Sequence, residues 1–256
     1  MQFIDTHCHI DFPVFAEKRS EVRERACDVG VSDIVVPGVT AEKWTTLLDI
    51  AGSQPMFHPA LGLHPCFLEQ HKPQNLVLLD ELLSRGNICA VGEIGLDLFI
   101  SGADLEQQLF YLEGQLELAQ KYDLPVLLHV RKAHDQMLKS LRSAKLSRGG
   151  IVHAYSGSRQ QAEQYLQLGF KLGIGGTLTY ERAKKLRSIV ETLPLEGFVL
   201  ETDAPDMPLA NYRGEINLPQ RVVEVAEVMA KLRSCPLEFV SAITSQNAKQ
   251  IIKSLR

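Results

Sequence analysis

Pro125-Val126-Leu127-Leu128-His129-Val130-Arg131 is a short apolar run that ends in a histidine, and Ile151-Val152-His153-Ala154-Tyr155-Ser156-Gly157 repeats that arrangement further along the chain. A run that is apolar at every position suits a parallel strand buried on both faces. A polar residue at its end suits a place where strands present their C-terminal ends to a ligand. Outward from these two, the same rhythm gives eight strand candidates: residues 3–6, 33–37, 57–61, 88–93, 125–129, 150–153, 170–173 and 198–203. Amphipathic stretches fill the intervals. Leu105, Leu109, Leu112, Leu116 and Ala119 form one helical stripe, and Val222, Val225, Val228, Met229 and Leu232 form another. Thr40 and Ser158 are placed as N-caps, and Pro236 suits the first turn of a last helix running toward Leu255.

This alternation fits a single α/β domain over residues 1–256, folded as a (β/α)8 TIM barrel. A doubly wound open sheet alternates in the same way. The polar strand ends separate the two. His7, His9, His64, Glu93, His129, His153 and Asp203 each sit at or near the end of a strand candidate. A barrel gathers all of them at one mouth, whereas an open sheet holds only two or three together. The expectation is therefore a barrel with a metal site at the C-terminal mouth of its strands.

Thr6-His7-Cys8-His9 places two imidazoles on one side of an extended chain, where they can share a cation or simply form a surface pair. Cys8 points the other way, toward the core. Val91-Gly92-Glu93-Ile94-Gly95-Leu96-Asp97 sets a carboxylate between two glycines after an apolar strand. Glu93 can bridge two cations or cap the next helix. Asp97 can cap or orient a neighbour. Phe198-Val199-Leu200-Glu201-Thr202-Asp203-Ala204-Pro205 ends the last strand candidate in acid, with Glu201 and Asp203 on one face. A single catalytic zinc takes about three protein ligands plus water. Four histidines and two carboxylates exceed that, which suggests two divalent cations sharing Glu93. His7, His9 and Asp203 are assigned with it to one, and His129 and His153 to the other. Such a pair activates water and neutralises a phosphate in flight, and Asp203 can take the proton.

The segments THCHID (6–11), GEIGLD (92–97), PVLLHVRKA (125–133), VHAYSG (152–157), ETDAP (201–205), RGEIN (213–217) and LPQRVVEVA (218–226) closely resemble the TatD-type metal-dependent deoxyribonucleases. These are amidohydrolase-like metal hydrolases built on a TIM barrel. The likeness runs from about Phe3 to Leu255, with the segments in family order. It implies divalent metal (zinc, magnesium or manganese) at His7, His9, Glu93, His129, His153 and Asp203, and hydrolysis of phosphodiester bonds with DNA as substrate. Two departures fall in loops expected at the mouth. Gly62-Leu63-His64-Pro65 is followed by Cys66 where the family often has a second histidine. Leu98-Phe99-Ile100 follows GLD where the family often has aromatics and an arginine.

Beyond the six ligands, His64 reads as a phosphate contact or a structural histidine before a proline turn. Arg131, Tyr155, Ser156 and Arg213 are candidate substrate contacts. Lys184, Lys185 and Arg187 form a basic run, either a solvated helix face or a nucleic-acid contact. His58, His71 and His134 read as incidental to the site, and Trp44 as core.

Composition narrows the class. About 45% of residues are apolar and 23% charged, a folded rather than a disordered chain. Nothing in the chain predicts a membrane span or a signal segment. Five cysteines without a CxxC pair suit reduced thiols in a cytoplasmic setting. A net charge of −4 is not that of a protein that grips nucleic acid by bulk charge. No obligate protein partner is implied. A small-molecule hydrolase acting on an amide, lactone or phosphoester stands as the alternative, and a metal-storing protein as a third reading.

Overall fold

A computed structural model of the chain describes residues 1–255. Its strands are β1 (Phe3–Asp5), β2 (Val31–Pro37), β3 (Phe57–Leu61), β4 (Ala90–Asp97), β5 (Val126–Arg131), β6 (Gly150–Val152), β7 (Phe170–Ile174) and β8 (Phe198–Leu200). They pair in sequential order, each neighbour parallel. The two ends of the sheet meet. Thr6 N–H donates to the Leu200 carbonyl at 3.0 Å, and Asp203 N–H to the His7 carbonyl at 2.8 Å. His9 N–H donates to the Ala204 carbonyl at 2.8 Å. The sheet is thus a closed (β/α)8 barrel rather than an open doubly wound one.

Around it lie α1 (Arg19–Asp28), α2 (Trp44–Gly52), α3 (Gln74–Leu83), α4 (Leu105–Lys121), α5 (His134–Ala144), α6 (Arg159–Gln167), α7 (Lys184–Thr192), α8 (Val222–Arg233) and α9 (Leu237–Ile251). Alternation along each strand divides the core. Ile4, Val35, Ala60, Ala90, Leu127, Ile151 and Val199 form the barrel interior. Ala248, Ile251, Ile252 and Leu255, from the end of the chain, join that cluster and plug the floor. Their neighbours Ile34, Val36, Leu128, Val152 and Leu200 face outward into the strand–helix layer, where Trp44 is also buried. Each such side chain contributes roughly 1.5–3 kcal/mol on burial. Between the floor and the mouth the interior is thus packed with apolar side chains, which leaves the mouth as the open end.

Strand bounds shift from the sequence reading in a way that matters. β4 runs on to Asp97, whereas β6 and β8 stop before His153 and Asp203. Asp203 instead lies in a left-handed turn at φ +58°, held by its N–H bond to His7. Ser158 caps α6 as expected, in a reciprocal capping box with Gln161. Thr40 precedes a 3-10 turn over Ala41–Lys43, but its hydroxyl makes no capping bond. Pro236 is the N-cap of α9 rather than part of its first turn, and the helix ends at Ile251. No helix of the described residues is long and apolar enough to cross a membrane.

Candidate metal centre

The mouth is built from strand ends. On β5 and β6 the interior residues Leu127 and Ile151 are followed two positions later by His129 and His153, so both imidazoles rise from the barrel axis. Val199 of β8 precedes Glu201 in the same way. Glu93 arrives differently. Val91 pairs with Val126 and Ile94 with Leu128, so β4 spends three residues where β5 spends two. This bulge turns Glu93 inward against strict alternation. Gly95 makes the close approach possible, since a Cβ there would sit 1.9 Å from the His129 carbonyl oxygen.

Glu93 is 2% exposed and stands at the centre of the cup. Its Oε2 lies 3.2 Å from His7 Nε2 and 3.7 Å from His9 Nε2. Both nitrogens are also 3.7 Å from Asp203 Oδ1. Its Oε1 lies 3.1 Å from His129 Nδ1 and 3.3 Å from His64 Nε2. Atoms sharing one cation at about 2.1 Å stand roughly 3.0–3.5 Å apart. At 3.2–3.7 Å the first group lies within a few tenths of an ångström of that ligand spacing. Buried nitrogens in it lack hydrogen-bond partners, namely both of His7 and Nδ1 of His9. Buried polar atoms are rarely left so. A cation fits this donor set.

Electrostatics agree. Burial alone raises the Glu93 carboxyl, but His64, His7 and His129 reverse this and hold it well below the usual carboxylate range. Burial opposes ionisation of Asp203 too, and His153 and His7 overcome it. Burial disfavours protonated imidazole, yet Asp97 and Glu93 raise His129 to about 9. His153 is likewise raised, by Glu201 and Asp203, against its burial. His9 moves the other way, to about 4, through burial and the nearby His7. The carboxylates of the cup demand positive charge.

Several residues differ from expectation. His153 stands with His7 and Asp203 rather than with Glu93. Its ring stacks on His7 at 3.6 Å, with Nε2 3.6 Å from Asp203 Oδ2 and Nδ1 3.0 Å from Glu201 Oε1. The cause is Glu201, fixed by the Ala154 N–H at 2.7 Å. His64 Nδ1 accepts from Cys66 N–H at 3.1 Å, and burial keeps the ring neutral. Its proton is then on Nε2, which points a donor at Glu93. Asp97 orients rather than caps a helix: its Oδ2 is 2.9 Å from His129 Nε2, and its Oδ1 accepts from Phe99 N–H.

Among the substrate candidates, Arg131 lines the cavity of about 530 Å³ above the cup, with its guanidinium 3.8 Å over the Phe99 ring. Tyr155 lines it too, but its hydroxyl donates to the Ser158 carbonyl at 2.5 Å instead of facing the cup. Arg213 is exposed and does not line the cavity. The arginine that its loop anchors is Arg221, which stacks on Tyr212 at 3.6 Å. His58, His71 and His134 stay outside the cavity lining, as expected. Sequence reasoning missed Gln108 and Gln115 of α4. Gln108 clasps the backbone of Asp97 from both sides, and Gln115 that of Leu63. Their signal was position, since both fall on the buried face of the α4 stripe.

Comparison with known proteins agrees with this architecture. A family model described as TatD related DNase matches residues 4–253. The metal-dependent hydrolase YjjV of Escherichia coli strain K12 is 45% identical over 96% of both chains. The crystal structure of the Escherichia coli YjjV protein, a TatD homologue, superposes with a TM-score of 0.95 at 44% identity over 98% of both chains. A protein of Erwinia billingiae named 3'-5' ssDNA/RNA exonuclease TatD is 30% identical over 93% of this chain and 94% of its own. By the match over residues 4–253 and by these relatives, the chain belongs to the TatD family of metal-dependent hydrolases.

Proposed function

We propose that this protein is a divalent-metal-dependent nuclease that hydrolyses phosphodiester bonds of DNA. The observation that carries the reading is Glu93, whose two carboxylate oxygens face two different sets of imidazoles. A carboxylate set between two groups of imidazoles would suit a pair of divalent cations, and two-cation sites suit phosphoryl transfer. His7, His9, Glu93 and Asp203 would hold one cation, and Glu93 with His129 the other, His153 standing between the groups. When bound, such cations make water a stronger nucleophile and offset the charge gathering on the phosphate.

The chain's own side chains do the rest. Asp203 is ionised and takes the proton from the attacking water. His64, neutral with its proton on Nε2, turns that N–H to Glu93 Oε1 and holds the carboxylate in place at the wall where the phosphate lies. Arg131 supplies a fixed positive charge at the rim, stiffened by its stack on Phe99. Asp97 and Glu201 hold the rings of His129 and His153 in place. The Erwinia relative's name, a single-strand DNA and RNA exonuclease, supports the same substrate class.

One observation favours a second reading, a small-molecule hydrolase acting on an amide, lactone or phosphoester. Among the charged residues that line the cavity, Glu93, Asp203 and Asp206 are acidic and only Arg131 is a fixed cation. The test is product analysis. The purified protein is given end-labelled single- and double-stranded DNA with magnesium, manganese or zinc, and then a chelator. Metal-dependent nucleotide release is expected. Inertness on DNA beside turnover of an ester and lactone panel would replace this reading with the second.

A further inference from the structure

The cavity over the cup continues past the barrel axis. It shares Thr177 and Met207 with a second groove of about 520 Å³ along the loop after β7, where Tyr180, Arg182 and Pro208 complete the wall. The Tyr180 hydroxyl donates to the Pro208 carbonyl at 2.9 Å, which fixes the ring. The Arg182 guanidinium lies 5.1 Å from the centre of that ring. Lys184 and Lys185 follow at the exposed start of α7, and Glu181 is the one acid in this short segment. Among the described residues, Arg182, Lys184 and Lys185 form no ion pair with a carboxylate, unlike Arg159 and Arg221. Loose cations next to an anchored aromatic face are thus continuous with an acidic cup that holds a single arginine.

We propose that the Tyr180–Arg182 groove binds the nucleotides flanking the scissile phosphodiester of a single-stranded nucleic acid. A base stacks on the Tyr180 ring, and Arg182 meets the phosphate beside it, with Lys184 and Lys185 beyond. The assignment rests on the phosphodiesterase reading and adds to it a subsite for the flanking nucleotides. An aromatic face binds any unpaired base but cannot reach one stacked inside a duplex. Cations set away from the cup attract the polyanion without competing with the metal ions for the carboxylates. This puts Lys184 and Lys185, which the sequence leaves open between a solvated helix face and a nucleic-acid contact, on the substrate path.

The experiment compares wild type, Tyr180→Ala, Tyr180→Phe and Arg182→Glu on two substrates. One is bis(4-nitrophenyl) phosphate, too small to reach the groove. The other is a single-stranded DNA oligonucleotide of about ten residues. The readout is the ratio of kcat/KM on the oligonucleotide to that on the small diester, with KM and kcat separated. Tyr180→Ala and Arg182→Glu are expected to lower that ratio about tenfold, chiefly through KM. Tyr180→Phe keeps the ring and is expected to stay near wild type. Arg182→Glu is also expected to flatten the salt dependence of KM. If wild type cuts the oligonucleotide and both variants keep its ratio, the groove assignment is overturned while the nuclease reading stands. If wild type cuts only the small diester, the nuclease reading fails and the groove assignment with it.

Discussion

Two histidine–carboxylate clusters sit at opposite ends of this barrel, and they are built to different rules. At the floor, His58 Nε2 lies 2.7 Å from Asp33 Oδ1, and His58 Nδ1 lies 3.2 Å from Ser254 Oγ. Asp33 Oδ2 accepts from Ser32 Oγ at 2.7 Å. Both ring nitrogens and both carboxylate oxygens have partners. At the mouth, His7 has neither nitrogen satisfied, and His9 and Glu201 each keep a buried polar atom without a hydrogen bond. The same residue types thus make a closed latch at one end and an open cup at the other. The closed cluster stabilises, tying the chain end to β2 and β3. The open one holds unsatisfied donors and acceptors in place for something that enters from solution.

The strongest way to break this contrast is Glu93→Ala. The change removes the group that both imidazole sets face, so activity should fall on the order of 10³-fold or more. Bound metal should fall with it by elemental analysis, and a chelator should mimic the effect in wild type. Wild-type turnover in the variant would remove Glu93 from the chemistry. Asp203→Asn should come next, with kcat down about 10²–10³-fold and oligonucleotide affinity little changed. Equal losses in rate and affinity would make Asp203 a scaffold rather than a base.

The floor makes the opposite prediction. His58→Ala leaves Asp33, which is 0% exposed, without its imidazole. Breaking a buried pair by removing one partner should cost about 3 kcal/mol in denaturant unfolding. Metal content and kcat of the folded fraction should stay at wild-type levels. Loss of metal without loss of stability would erase the distinction between the two clusters.

How far the two ends can be read from sequence differs for the same physical reason. At the mouth, apolar runs end in His129 and His153, and strand periodicity carries them to the axis. Glu93 was recognisable by type and neighbourhood, but its inward turn depends on the β4–β5 register, which no local pattern encodes. Glu201 holding His153 is a pairing between distant segments that no local pattern marks, whereas Gln108 is marked only by its place on the buried face of α4. Arg213 misled because loop position says nothing about where a long side chain ends up. The floor latch was invisible, since His58 and Ser254 are far apart in the chain and meet only when α9 folds under the barrel.

His134 supplies the smallest and sharpest test, because it is a buried histidine that belongs to neither cluster. Its Nδ1 lies 3.2 Å from the Tyr165 hydroxyl, and the Tyr155 ring lies 5.5 Å away. Burial and then Lys185 lower its pKa from 6.5 to about 4. The folded protein thus favours the neutral ring, while the unfolded chain protonates near 6.5. Between those values the unfolded state binds more protons, so the His134 share of stability is present above about pH 6.5 and drains away as pH falls toward 4. From pH 7 to pH 5 that loss should be about 1–2 kcal/mol. His134→Gln, which cannot titrate, should flatten the acid limb of the stability curve by that amount and leave metal binding alone. An acid limb as steep as that of wild type would mean that the mouth histidines, not His134, set the response to acid.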